Sequence, residues 1–244
     1  LQRMDHLKEY FPEIQALTGV EQNPLFHPEG NVFEHTLLVL DAAASLRSQA
    51  KQPLFFMLAA LCHDLGKIDA TEQNPETGKI TAYRHPETGI PLAEGFLQRL
   101  TSQTDLIDYV LNMVALHMRP NMLAQHRSRP VKTRLLFDEA LVPEDLILLS
   151  RADATGKLNQ PYDPSLEAFL RERLEDYRRV MARPQVGGRD LVAAGLKPGK
   201  TFGTLLARAH RLHLSGMAKE EVLRHLRSGR FPHEPEDAPS APRP

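Results

Sequence analysis

An all-α fold is the expectation for this chain, and three features of its sequence carry it. Apolar residues recur at a spacing near 3.6 rather than 2, prolines stand at or just before the starts of the apolar segments, and no convincing stretch alternates apolar and polar positions with β-branched enrichment. From Asn31 to Gln49, Val32, Phe33, Thr36, Leu37, Val39, Leu40, Ala43, Ala44 and Leu46 keep one broad face. The same periodicity predicts helices over Pro53–Leu65, Pro86–Leu100, Asp105–Met118, Lys132–Leu141, Pro143–Thr155, Pro164–Ala182 and Phe202–Leu214. A proline at the first helical position loses nothing, because its missing N–H would have had no intrahelical partner. Gly66, Gly156 and Gly216 fall just past predicted helix ends, where glycine C-caps are expected.

A length of 244 residues allows one large domain or two small ones. Residues 1–184 are expected to form one helical bundle. Gln185-Val-Gly-Gly188 then interrupts the long charged helix and two shorter helices follow, so residues 185–229 are expected as a C-terminal helical extension packed on the bundle. Residues 230–244 carry five prolines and almost no apolar content, the composition of a disordered tail. No repeat of 20–50 residues is evident.

Lys plus Arg number 30 against 31 Asp plus Glu, a formal charge of -1, so bulk charge announces neither a nucleic acid nor a membrane. The single cysteine, Cys62, excludes an internal disulfide framework and a multi-cysteine zinc or iron–sulfur site. Any metal must be held by carboxylates and by some of the 11 histidines. The longest apolar run, Leu54 to Cys62, falls far short of the roughly 20 residues that cross a bilayer, and no charged segment followed by an apolar one opens the chain. The expectation is a cytoplasmic protein without a membrane partner. Its first residue is Leu1 rather than Met, compatible with trimming or excision from something longer.

The strongest chemical feature is Cys62-His63-Asp64-Leu65-Gly66-Lys67, at the end of an apolar helix. Neighbouring helical residues point about 100° apart, so His63 and Asp64 can serve one ligand only where the helix is ending. Alone, such a dipeptide reads as a capped helix end. It has company: His35, His85, His117 and Asp153 each sit beside residues that otherwise read as core, where unpaired polar groups are costly. A shared divalent metal would satisfy all of them, and imidazole with carboxylate suits first-row metals.

The order His35, His63-Asp64, Asp153 resembles the H…HD…D signature of the HD-domain metal-dependent phosphohydrolases, an all-helical superfamily. More narrowly, the stretch from Gln22 through His27-Pro-Glu29 to His35-Thr, then Ala60-Leu-Cys-His63-Asp-Leu-Gly-Lys67, Tyr83-Arg-His85-Pro-Glu, and Gly195-Leu-Lys-Pro-Gly-Lys-Thr-Phe-Gly-Thr-Leu-Leu206 are similar to the C-terminal HD region of bacterial CCA-adding tRNA nucleotidyltransferases, across about residues 10–225. The paired aspartates of that family's nucleotidyltransferase head have no counterpart, since no Asp-x-Asp occurs in the sequence, and CCA addition by this chain alone is not expected.

The resemblance implies a phosphohydrolase acting on 2′,3′-cyclic phosphates and phosphomonoesters of nucleotides or RNA ends. It implies His35, His63, Asp64 and Asp153 as ligands of one divalent ion (Mn, Ni, Fe, Co or Mg), with Asp64 placed to bridge to a second. His85 and His117 stay open between ligands of that second ion and phosphate-binding or acid roles. Asp64, Lys67, His85 and His117 are the expected catalytic residues, and Lys67, Arg84, Arg119 and His27 the expected contacts to substrate. For Lys67 the simpler alternative is a lysine favoured by a helix C-terminus. A nucleotidase on free mononucleotides is a second reading. A tRNA- or RNA-binding module partnered with a nucleotidyltransferase or an end-healing enzyme is a third.

Other features carry less. Cys62 is expected to be a buried, inert thiol, and His210 with His213 a solvated or phosphate-facing stripe. Two acid-free runs each hold five cations: Arg119, Arg127, Arg129, Lys132 and Arg134, then Lys197, Lys200, Arg208, Arg211 and Lys219. They are either solvated faces or a polyanion track. Ala194-Gly-Leu-Lys-Pro-Gly199-Lys200-Thr201 loosely matches a phosphate loop, but its flanks read helical and the required parallel sheet is missing.

Overall fold

A computed structural model describes residues 2–158 and 161–228. In chain order its helices are α1 (Gln2–Tyr10), α2 (Pro12–Ala16), α3 (Val32–Leu46), α4 (Pro53–Cys62), α5 (Lys67–Ala70), α6 (His85–Leu100), α7 (Thr104–Leu116), α8 (Met118–Gln125), α9 (Pro130–Glu139), α10 (Pro143–Thr155), α11 (Pro164–Met181), α12 (Gly188–Ala193), α13 (Phe202–Leu214) and α14 (Lys219–Ser228). Between α5 and α6 lies one antiparallel hairpin, β1 (Thr71–Gln73) with β2 (Ile80–Ala82), in which Thr71 faces Ala82. The expected all-α class holds. The hairpin escaped the periodicity argument because three-residue strands are too short to show alternation.

The chain divides into two compact units, Leu1–Leu174 and Glu175–Pro244. That division falls inside α11, ten residues before the 184/185 boundary expected from composition. The 230–244 tail lies outside the described residues. Among the described residues no helix is long and apolar enough to cross a membrane.

In the first unit α3, α4, α7 and α10 pack on one another and α6 packs on α7. Helix α4 reads PLFFMLAALC, apolar on nearly all sides, which suits a helix enclosed by neighbours rather than one with a solvent face. Phe56, Ala59 and Ala60 of α4 meet a core that includes Val39, Met113, Val114, Leu146 and Leu149, all fully buried. Asn31 caps α3 with its side-chain oxygen on the Glu34 N–H at 3.0 Å. Asp145, buried in the first turn of α10, accepts the N–H groups of Lys51 (2.8 Å) and Gln52 (3.2 Å) and the Tyr109 hydroxyl (2.7 Å). One carboxylate thereby satisfies donors at the entry of α4 and ties them to α7. Burial, with this bond, pushes the Tyr109 hydroxyl pKa up.

The periodic segment expected to run to Met118 breaks at His117 into α7 and α8. Pro120 explains the break: without an N–H it cannot donate to Leu116 four residues back, so the ladder is interrupted there.

Of the three glycines expected as C-caps, only Gly216 adopts the left-handed backbone, at φ 102°, its N–H bonded to His213 O at 2.8 Å. Gly156 does end α10, at φ -73° with its N–H bonded to Ala152 O at 2.9 Å, whereas Gly66, at φ -66°, precedes α5; both serve a further purpose. A Cβ on Gly66 would lie 1.9 Å from His85 O and 2.4 Å from Gly89 N; one on Gly156 would lie 2.6 Å from Val39 Cγ2 and 3.0 Å from Val39 N. Two backbone approaches, the α4–α5 turn against α6 and the end of α10 against α3, depend on the missing methyls. Thr88 fastens the first by donating from Oγ1 to Gly66 O at 2.9 Å.

In the second unit Leu191, Ala209, Val222 and Leu226 form a small core with Phe202, Leu205 and Leu206 against it. His213 corrects the expectation of a solvated stripe: it is 3% exposed and its Nε2 donates to Val180 O at 2.9 Å. Helical spacing put it on the buried side of α13, beside Ala209.

Gly66→Ala is expected to lower the unfolding free energy by at least about 2 kcal/mol, since the clash is with main-chain atoms that no rotamer change relieves. Urea unfolding would measure it, and a midpoint equal to the parent's would count against the close-approach account.

Candidate metal centre

The ends of α4, α7 and α10, the start of α6 and the first turn of α3 point polar side chains at one buried place. His63 and Asp64 follow the last residue of α4; His85 opens α6; His117 sits at the α7–α8 break; Asp153 lies in the last turn of α10; His35 lies one turn into α3. All six are buried. The spacing of the cluster therefore follows from where helices stop, and two of those stops, near Gly66 and Gly156, are the glycine contacts.

Asp64 is the centre of the cluster. Its Oδ2 is 3.2 Å from His63 Nε2, 3.7 Å from His35 Nε2 and 2.7 Å from Lys67 Nζ; its Oδ1 is 3.3 Å from His85 Nε2 and 3.6 Å from His117 Nε2. His35 Nε2 is also 3.2 Å from Asp153 Oδ1. His35, His63 and Asp64 thus form one possible cation cradle, and Asp64, His85 and His117 another, with the two Asp64 oxygens facing opposite ways.

Hydrogen bonding decides which nitrogen each ring offers. His63 Nδ1 bonds Ala60 O, His85 Nδ1 bonds Ala82 O and His117 Nδ1 bonds Val114 O, each at 2.8 Å. A carbonyl can only accept, so Nδ1 carries the proton and Nε2 presents a lone pair. His63 Nε2 is buried with no hydrogen-bond partner. The Nε2 atoms of His85 and His117 face each other at 3.1 Å, a contact that is repulsive for two lone pairs and is relieved by a shared cation or an extra proton. Backbone-fixed tautomers with converging Nε2 atoms are the arrangement that ligating histidines require. The donor set fits a divalent ion.

The charges agree. Burial raises the Asp64 pKa, but His63 and Lys67 outweigh it and hold the carboxyl well below its usual range. Asp153 is treated likewise by Lys157, whose Nζ is 4.0 Å away, and by His35. Burial disfavours charge on His35, yet Asp153, Glu29 and Asp64 together raise it to about 9. His27 is lowered to about 4, by burial first and then by the charges of Lys67 and His35, so it is neutral and donates Nδ1–H to Glu29 Oε1 at 2.8 Å.

The structure brings His27, His35, His63, Asp64, Lys67, His85, His117 and Asp153 into one neighbourhood. The two arginines are each paired with a glutamate. Arg84, left-handed at φ 61° and exposed, pairs with Glu87; Arg119 pairs with Glu139. Lys67 begins α5 rather than ending a helix, and it holds Gln22 Oε1 at 2.8 Å as well as Asp64. Burial pushes the Cys62 thiol pKa up, consistent with an inert core residue.

Sequence reasoning missed Gln22, Glu29 and Lys157. Lys157 had a readable signal, four residues after Asp153 and just past the end of α10, within reach of its carboxylate. Gln22 and Glu29 lie in a loop, where no periodicity marks an inward side chain. Yet the Glu29 side chain is 1% exposed, and its Oε1 is 2.8 Å from His35 Nδ1, close in distance though outside hydrogen-bond geometry.

The HD domain family matches residues 32–157, a span holding every cluster residue except those of the Gln22–Glu29 loop. The chain is similar to the Multifunctional CCA protein of Alkalilimnicola ehrlichii, 30% identical over 221 residues, covering 88% of this chain and 49% of the relative. It is 34% identical over 162 residues to the protein of that name from Actinobacillus pleuropneumoniae serotype 5b (65% and 38%), and 32% over 210 residues to that from Xanthomonas oryzae pv. oryzae (84% and 48%). The chain spans about half or less of the length of these relatives.

A ligand nitrogen must shed its proton to bind metal. Without metal, His35 has a folded pKa near 9 against 6.5 when unfolded, so its stabilising contribution is complete below pH 6.5 and is lost as pH rises through 9. Metal competes with that proton. Apparent divalent-metal affinity is therefore expected to climb about tenfold per pH unit from pH 7 to 9. Calorimetry in buffers of different ionisation heat should show close to one proton released per ion bound at the His35 position, and pH-independent affinity over this range would overturn the assignment.

Proposed function

The chain belongs to the HD domain family, and from that premise we propose that it is a divalent-metal-dependent phosphohydrolase acting on 2′,3′-cyclic phosphates and phosphomonoesters of nucleotides or RNA ends. The observation that carries this is the convergence of four imidazole Nε2 atoms on the two oxygens of Asp64. In this reading His35, His63, Asp64 and Asp153 hold one ion, and Asp64, His85 and His117 hold a second. Bound divalent ions would supply an acidified water and a clamp on a phosphoryl oxygen.

The protein's own groups prepare that reaction. The backbone carbonyls of Ala60, Ala82 and Val114 fix three rings in the ligating tautomer. Lys67 Nζ has three protons and two acceptors, Asp64 and Gln22, which leaves one N–H for a phosphate oxygen. Lys157 adds positive charge beside Asp153, and neutral His27 lines the same side. The choice of nucleotide and RNA-terminal phosphates rests on the likeness to the CCA proteins. Each acid-free run has a cation paired with a carboxylate distant in sequence, Arg119 with Glu139 and Lys219 with Asp190 at 2.7 Å, which reduces the charge the runs would offer to RNA.

A panel pairing Mn, Ni, Fe, Co and Mg with 2′,3′-cyclic nucleotides, 2′- and 3′-monophosphates and cyclic-phosphate-ended RNA tests the proposal. Turnover should require a divalent ion and fall at least about a hundredfold in Asp64→Ala, since removal of a bridging ligand should exceed the 10–100-fold typical of outer partners. Activity surviving that substitution would sink the site. Turnover of free mononucleotides with no preference for RNA ends would favour a nucleotidase.

A further inference from the structure

We infer that Glu29 is a positioning residue for the metal ligand His35, acting through charge on the ring nitrogen that faces away from the centre. This rests on the metal centre proposed above and adds a residue to it. Three of the ligand histidines have a backbone carbonyl on Nδ1; His35 does not. Its Nδ1 instead has the Glu29 carboxylate, Oε1 at 2.8 Å, in a side chain 1% exposed.

The Glu29 carboxylate is fixed in place by its neighbours. Its oxygens are divided between three segments: Oε1 accepts from His27 and meets His35, while Oε2 accepts the Leu158 N–H at 3.3 Å, just past the α10 helix that carries Asp153. The His27 ring stands edge-on against the His35 ring, centroids 4.7 Å apart, and prevents it from swinging away. An anion behind a ligating imidazole holds its proton on the far nitrogen and increases the electron density offered to the metal. The alternative, that His27, Glu29 and His35 themselves cradle a further cation, would require His35 to ligate through both nitrogens and give up its remaining ring proton. A carboxylate orienting the ring needs no such loss.

The expected asymmetry is specific: Glu29 supports the His35 position and does not touch His85 or His117. Mn2+ titration of the metal-free protein, followed by the free-ion EPR signal and by calorimetry, tests this without reference to activity. Glu29→Gln, which keeps the shape and removes the charge, should weaken one class of Mn2+ site about 10–100-fold and leave the other within about twofold. Glu29→Asp, which keeps the charge, should recover part of the loss. Metal-free thermal unfolding of each variant separates a folding defect from a ligand defect. Unchanged affinity of both classes in folded Glu29→Gln, or equal weakening of both, would overturn the assignment. Failure of the parent protein to bind Mn2+ would instead overturn the metal centre, and is seen before any variant is made.

Discussion

The first unit is organised around a buried negative charge that it cannot leave uncompensated. Asp64 is 2% exposed and surrounded by four imidazole nitrogens and one ammonium. A lone carboxylate at that depth would be prohibitively desolvated, so every element that reaches it brings a cation or a potential ligand. The helix ends at Cys62, Leu116 and Thr155 and the start at His85 all serve this place. Polar satisfaction at the centre and apolar burial around it are therefore one problem: Val39, Ala60 and Val114 line the core while the neighbouring positions on the same helices face the charge.

Much of this was legible in the sequence, for identifiable reasons. The long helices declared themselves because one apolar face repeated over several turns, as in α3 and α10. The residues that gather around Asp64 could be read because histidine and aspartate among leucines and alanines are conspicuous. What stayed hidden was set by contacts distant in sequence. Glu29 and Gln22 lie in a loop whose inward side chains are chosen by His35 and Lys67. The glycine contacts could not be told from simple helix caps, since a glycine past a helix end can cap, pack closely or, like Gly156, do both, and only the partner backbone, at Gly89 or Val39, reveals the contact. The break at His117 had a visible cause in Pro120, but the apolar pattern ran through it unchanged.

Charge gave a similar lesson. Two stretches without an acid looked like surfaces waiting for a polyanion, yet Glu139 and Asp190, remote in sequence, neutralise cations in each. The cations that matter most here, Lys67 and Lys157, belong to neither stretch and were placed by their carboxylate neighbours. Sequence counts average over distances at which ions hardly interact.

The contact of Gly66 with Gly89 also separates two jobs that the chain performs in succession. The β1–β2 hairpin between them, with its Asn74–Gly78 turn, leaves the bundle after α5 and returns to it before α6, at a junction already closed by main-chain contact and by the Thr88 bond. The reach of that excursion has no leverage on how far His85 stands from Asp64. Material could be added to or removed from its tip while the geometry around Asp64 stayed fixed. The fold thus keeps, a few residues from its most constrained point, a segment free to vary in length and composition, and with it what the protein meets outside.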